Sequence, residues 1–107
     1  MTVKEVQVAE LDAAMQGGAR VVDVRETNEY VEGHVPGAVH VALSTVPDHA
    51  ESFRGEGPTY VICRSGARSM RACEFLVQHG IDVINVAGGT LDWIASGRPV
   101  VTGDSPL

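Results

Sequence analysis

Tyr60-Val61-Ile62-Cys63-Arg64-Ser65-Gly66-Ala67-Arg68-Ser69 runs from three β-prone residues into a cysteine, then through a short loop into a helical pattern. The stretch places a thiol where a strand ends and a helix begins. In a parallel α/β sheet, ligands bind outside the carboxyl ends of the strands. Backbone N–H groups of such a loop can converge on the sulfur, and the following helix adds about half a unit of positive charge. Arg64 and Arg68 contribute two permanent cations. A free cysteine titrates near about 8.5, and these surroundings lower that value, so the nucleophilic thiolate is present at neutral pH. Cysteine at a strand end is also compatible with simple burial as a small hydrophobe. Two arginines around Ser-Gly-Ala have no place in that blander reading. The segment reads as a seat for a reactive thiolate and a small anion.

Outward from this loop, strand and helix patterns alternate. Val3 to Val8 alternates apolar and polar residues, as a short first strand does, and Ala9 to Gln16 carries Leu11, Ala14 and Met15 on one helical face before Gly17-Gly18. Arg20 to Val24 has the β-branched apolar character of a buried parallel strand. Thr27 is positioned to cap a short helix through Glu32, with Glu29 in its first turn. A turn-rich Gly33-His34-Val35-Pro36-Gly37 leads to a strand over 38–41, and 44–53 is read as a weakly specified helix that tolerates Pro47 only near its start. Thr59 to Ile62 delivers Cys63. The spacing then predicts a helix over 67–79 with Met70, Cys73 and Val77 on one stripe, a strand over 81–86 and a last helix over 90–96. Strands alternating with helices imply a parallel sheet with helices on both faces. Asp23-Val24-Arg25 and Cys63 then fall at the same edge of that sheet.

The 107 residues suffice for one core, and a single domain over 1–107 is expected, with its body at about 3–101 and a loose tail at 102–107. A net charge of −6, with no basic cluster outside the loop, argues against nucleic acid or an anionic membrane as partner. No apolar run is long enough to cross a bilayer and the N-terminus has no signal-peptide core. Two cysteines in such a chain suggest reduced thiols in a cytoplasm. Neither they nor the four histidines have the spacing of a zinc site, so no metal and no cofactor are expected.

Asp23-Val24-Arg25-Glu26, Gly33-His34-Val35-Pro36-Gly37-Ala38, the Cys63 loop and Gly88-Gly89…Trp93…Gly97-Arg98-Pro99-Val100 occur in that order. With these, the chain resembles a single-domain rhodanese, a sulfurtransferase domain, from about Val3 to Val101. The resemblance implies a five-stranded parallel sheet flanked by helices and a cysteine that carries a sulfane sulfur as a persulfide. Its implied reaction takes sulfur from thiosulfate or a similar anionic donor and gives it to cyanide or a thiol, that of a protein included. Covalent catalysis of this kind divides one transfer into two easier ones. Loop N–H groups would stabilise the anionic persulfide as an oxyanion hole stabilises oxygen, and an already ionised thiol needs no neighbouring base.

Within the loop, Arg68 either orients the backbone or meets sulfonate oxygens, while Arg64 faces the entrance. Ser65 and Ser69 either donate to the sulfur or cap the helix, Gly66 serves backbone geometry, and Ala67 is counted with them in the substrate-binding loop. Asp23 and Arg25 match the family's acidic and basic pair and are read as a charged hydrogen-bonded brace behind the loop. His34 is assigned a structural hydrogen bond, Trp93 a packing role, and Cys73 a place in the core rather than a resolving one. Three other functions fit parts of the pattern: a persulfide carrier for a protein partner, a silent binding module, and a phosphatase of the cell-cycle type. The last needs a loop one residue longer than the four residues, Arg64 to Ala67, that separate Cys63 from Arg68.

Overall fold

A computed structural model describes residues 2–107. Five strands, β1 (Lys4–Val6), β2 (Arg20–Asp23), β3 (Val39–His40), β4 (Thr59–Ile62) and β5 (Val83–Val86), form one sheet in the order β1-β5-β4-β2-β3. All four pairings are parallel. The connections are α1 (Val8–Gln16), α2 (Thr27–Glu32), a 3-10 segment (Leu43–Phe53) and α3 (Ala67–Gln78), and α4 (Gly89–Ala95) follows the last strand. The architecture is the parallel sheet with helices that the alternation implies, with the five strands that the family resemblance implies.

The central strands are apolar on both sides because both faces are covered. Ile62 and Val21 point into a cluster with Val8 and Leu11 of α1 and Trp93 of α4. Val61 and Val22 point the other way, into a cluster with Ala72, Cys73 and Leu76 of α3 and with Val46 and Phe53 of the 3-10 segment. A one-residue slip in β4 would exchange these sets, so the sheet register and the position of Cys63 are fixed together.

Several local expectations change. The helix at 27–32 is preceded by Glu26 as its N-cap residue rather than capped by Thr27. The Glu29 carboxylate accepts the Glu26 N–H at 3.1 Å. The 44–53 helix is a 3-10 segment broken at His49. Pro47, without an N–H to give, suits that short-range geometry. On α3 the buried row is Ser69, Ala72, Cys73 and Leu76, with Met70 and Val77 only half-buried. The helix is turned so that Ser69 faces Cys63.

The tail at 102–107 is tied down instead of loose. Gly103 N–H donates to the Val31 carbonyl at 2.9 Å, and Gly37 N–H donates to the Pro106 carbonyl at 2.9 Å. His34 is fully buried and stacks on Tyr30 at 3.7 Å between ring centres. Its ring nitrogens lie 2.8 Å from the Tyr30 carbonyl and 2.9 Å from the Ser105 carbonyl. The structural role expected for His34 is thus realised, with the tail as one partner. Trp93 packs in the core and donates from Nε1 to the Pro99 carbonyl at 2.7 Å.

Candidate functional site

β4 ends at Ile62, and the chain turns there through Cys63-Arg64-Ser65-Gly66 into α3. Gly66 has φ +108°, in the left-handed region open to glycine, and a Cβ there would lie 3.4 Å from the Gly88 nitrogen. This turn brings the Gly66 N–H to 3.1 Å from Cys63 Sγ. The Ser69 hydroxyl, one turn into α3, stands 3.3 Å from the same sulfur and 3.2 Å from the Gly66 carbonyl. Burial raises the Cys63 pKa. That effect is outweighed by the Ser69 hydroxyl and by the backbone N–H groups of Ser69, Gly66 and Ser65, so the thiol ionises below its ordinary value. Cys63 is 1% exposed, and its sulfur lies at the floor of the loop.

Residues outside the loop hold its shape. Thr90 donates to the Cys63 carbonyl from both its N–H and its hydroxyl, each at 2.9 Å, and Leu91 N–H donates to the Arg64 carbonyl at 3.0 Å. Asn85 of β5 gives its amide N–H groups to the Gly66 carbonyl at 3.2 Å and to Glu5 at 2.8 Å. Gly89 has φ +57°, and a Cβ on it would come within 2.6 Å of the Cys63 and Arg64 carbonyls. The Gly88-Gly89 pair therefore lets α4 press directly against the backbone of Cys63 and Arg64.

Arg68 is half-buried and makes a two-pronged pair with Glu29, Nη1 to Oε1 at 2.7 Å and Nη2 to Oε2 at 2.8 Å. This pair clamps the first turn of α3 to α2. The Arg68 guanidinium holds the Glu29 carboxyl down at about 2 against an ordinary 4.5. Arg64 and Ser65 are exposed at the mouth. Arg64 lines a cleft of about 270 Å³ with Arg25, Glu29, Glu32, Gly33, Thr90 and the apolar Leu91, Ile94 and Val100.

Asp23 and Arg25 form the expected buried pair, with Arg25 Nη2 2.8 Å from Asp23 Oδ2 and Nε 3.0 Å from Oδ1. Its outward contact differs from the expectation. Arg25 Nη2 donates to the Gly33 carbonyl at 2.8 Å, so the pair holds the turn after α2, in the wall of the cleft, rather than the Cys63 loop. Buried charges are tolerated when paired and hydrogen-bonded in this way. Cys73 sits fully buried in the apolar cluster under α3, and burial pushes its thiol up to about 12. Among the described residues, no group of three or more His, Cys, Asp or Glu is placed to hold a metal ion, and no helix is long and apolar enough to cross a membrane.

Glu29, Asn85, Thr90 and Gly89 are the site residues that sequence reasoning missed. Gly88-Gly89 was visible as a motif, and Glu29 as an acid at a helix start. Their partners lie far along the chain, 39 positions away for Glu29 and Arg68, and no periodicity carries such a pairing.

Fold and loop together define a parallel α/β domain with one thiol held at the N-terminus of a helix. Residues 7–96 match the rhodanese-like domain family, and the chain belongs to it. It is 35% identical over 101 residues to YtwF of Bacillus subtilis, provisionally named a sulfurtransferase, and the match covers 92% of this chain and 98% of that one. YrkF of the same organism, provisionally named a sulfur carrier protein, is 40% identical over 74 residues, which span 68% of this chain and 40% of YrkF. The crystal structure of a rhodanese-related protein from Thermoplasma volcanium superposes with a TM-score of 0.86 at 31% identity, covering 94% of this chain and 99% of that one.

Proposed function

We propose that this chain is a sulfurtransferase that moves a sulfane sulfur through a persulfide on Cys63. The observation that carries the reading is the convergence of the Gly66 N–H, at 3.1 Å, and the Ser69 hydroxyl, at 3.3 Å, on a cysteine sulfur whose pKa is lowered. The names of YtwF and YrkF point the same way.

In the first half-reaction the Cys63 thiolate attacks the outer sulfur of thiosulfate. The S–S bond of the donor breaks, its electron pair leaves on sulfite, and Cys63–S–S⁻ remains. The loop N–H groups and the dipole of α3 stabilise that anion in place, without rearrangement at the moment of reaction. In the second half-reaction, cyanide or a thiolate attacks the outer sulfur and the electron pair returns to Cys63. Arg64, exposed at the mouth, draws in the anionic donor. Phosphate-ester hydrolysis is the weaker reading, because Arg68 is committed to Glu29 by two hydrogen bonds. Both cysteines are free, which fits a reducing compartment such as the cytoplasm.

Thiocyanate release from thiosulfate and cyanide tests the reading. Wild type is expected to turn over with ping-pong kinetics and Cys63→Ser to be inactive. Activity in Cys63→Ser, or its absence from wild type with thiosulfate and other sulfane donors, overturns it.

A further inference from the structure

The cleft beside the Cys63 loop has an apolar wall for which small anions such as thiosulfate and cyanide have no need. Leu91 and Ile94 of α4 are 43% and 51% exposed, and Val100 is 37% exposed; all three line that cleft with Arg64, Thr90 and Glu32. Single exposed apolar residues are ordinary, whereas several gathered at the mouth of a reactive site mark a contact surface. Their placement follows from the site itself. The start of α4 is pinned to the Cys63 and Arg64 carbonyls through Thr90 and Leu91, and Trp93 buries the inner face of the helix. Leu91 and Ile94, three positions apart, are left together on the outer face.

The charges of the cleft are equally specific. Arg25 and Glu29 are already paired, with Asp23 and Arg68. Arg64, next to the nucleophile, and Glu32, at the end of α2, are exposed and make no ion pair among the described residues. One unpaired cation and one unpaired anion thus border an apolar wall.

We propose, resting on the sulfur-transfer reading, that this cleft receives the sulfur acceptor and that the acceptor is a protein segment. Its cysteine is flanked by apolar residues that lie on Leu91, Ile94 and Val100. An acidic residue near that cysteine meets Arg64, and a basic residue further along meets Glu32. The acceptor thiol attacks the outer sulfur of Cys63–S–S⁻, the S–S bond breaks, its electron pair returns to Cys63 as thiolate, and the thiol's proton stays with the acceptor. The acceptor leaves as R–S–SH, so the exchange needs no oxidant or reductant. With Cys63 1% exposed, the incoming sulfur must reach into the loop while its neighbours stay outside, which an extended segment with a protruding side chain can do.

The test loads the protein with thiosulfate, removes the excess, and follows discharge by mass spectrometry against two synthetic peptides. One has leucines beside its cysteine and a glutamate and a lysine at its ends; the other has serines throughout. Wild type is expected to discharge to the leucine peptide about tenfold faster, equivalent to ~1.4 kcal/mol. Ile94→Ser with Val100→Ser is expected to lose that preference and keep its discharge to cyanide. Leu91 is left intact because its backbone holds the loop. Equal rates for both peptides in wild type, or a preference that survives the double substitution, overturn the docking proposal while the persulfide reading stands. Failure to load at all overturns the reading beneath it. A dimer that dissociates in the double variant assigns the patch to a second copy and also overturns the proposal.

Discussion

Replacing Glu29 by glutamine isolates the charge that clamps the loop helix. The carboxylate accepts both prongs of Arg68, at 2.7 and 2.8 Å, and the Glu26 N–H at 3.1 Å. Arg68 is the main reason that its pKa lies at about 2 instead of 4.5. At about 1.4 kcal/mol per pH unit, a displacement of that size favours the folded, charged form by ~3 kcal/mol. The two side chains are 24% and 32% exposed, and solvent screening brings the expected net contribution down to about 1–2 kcal/mol. The folded carboxyl binds its proton more weakly than the unfolded one. Its contribution is therefore complete above about pH 4.5 and is lost as the pH falls through about 2. Urea unfolding, followed by Trp93 fluorescence at stepped pH, reads this directly. Glu29→Gln should be about 1–2 kcal/mol less stable than wild type at neutral pH, with a melting temperature about 4–8 °C lower. The two proteins should converge in acid. An offset that persists unchanged at low pH, or no offset at neutral pH, refutes the ionic clamp.

Ser69→Ala removes one donor from Cys63, so alkylation of Cys63 should move to higher pH and slow about three- to tenfold at neutral pH; an unmoved profile contradicts the role given to the hydroxyl. Gly89→Ala drives a Cβ to within 2.6 Å of the Cys63 and Arg64 carbonyls at φ +57°, and chemical denaturation should show a loss of about 2–4 kcal/mol. Wild-type stability in that variant would mean that α4 is not seated as described. Cys73→Ser puts a hydroxyl into an apolar cluster and should cost about 1–3 kcal/mol in the same assay while leaving sulfur loading stoichiometric. Loss of loading would bring Cys73 into the chemistry.

The architecture was legible because its signals are local and repetitive. The apolar run of β4, the Gly66 break and the amphipathic α3 lie next to one another in sequence and also in space. The thiol at a strand end followed from that order alone. Legibility failed where a long-range partner decided the outcome. Ser69 faces inward because the sulfur is there, which rotates the buried row of α3 away from Met70. Arg68 turns to Glu29, and Arg25 to the Gly33 carbonyl, choices set by geometry between elements 39 and 8 positions apart in the chain. The segment 102–107 has a loop-like composition, yet the His34 ring and the Gly37 N–H take up its carbonyls.

Intact-protein mass spectrometry before and after thiosulfate, on wild type and Cys63→Ser with Cys73→Ala alongside, tests the persulfide at Cys63 most directly. Wild type and Cys73→Ala should each gain a single sulfur atom that cyanide removes, and Cys63→Ser should gain none. A sulfur that still appears on Cys63→Ser, or that is lost in Cys73→Ala but not in Cys63→Ser, would contradict the assignment of the loop thiolate as the carrier.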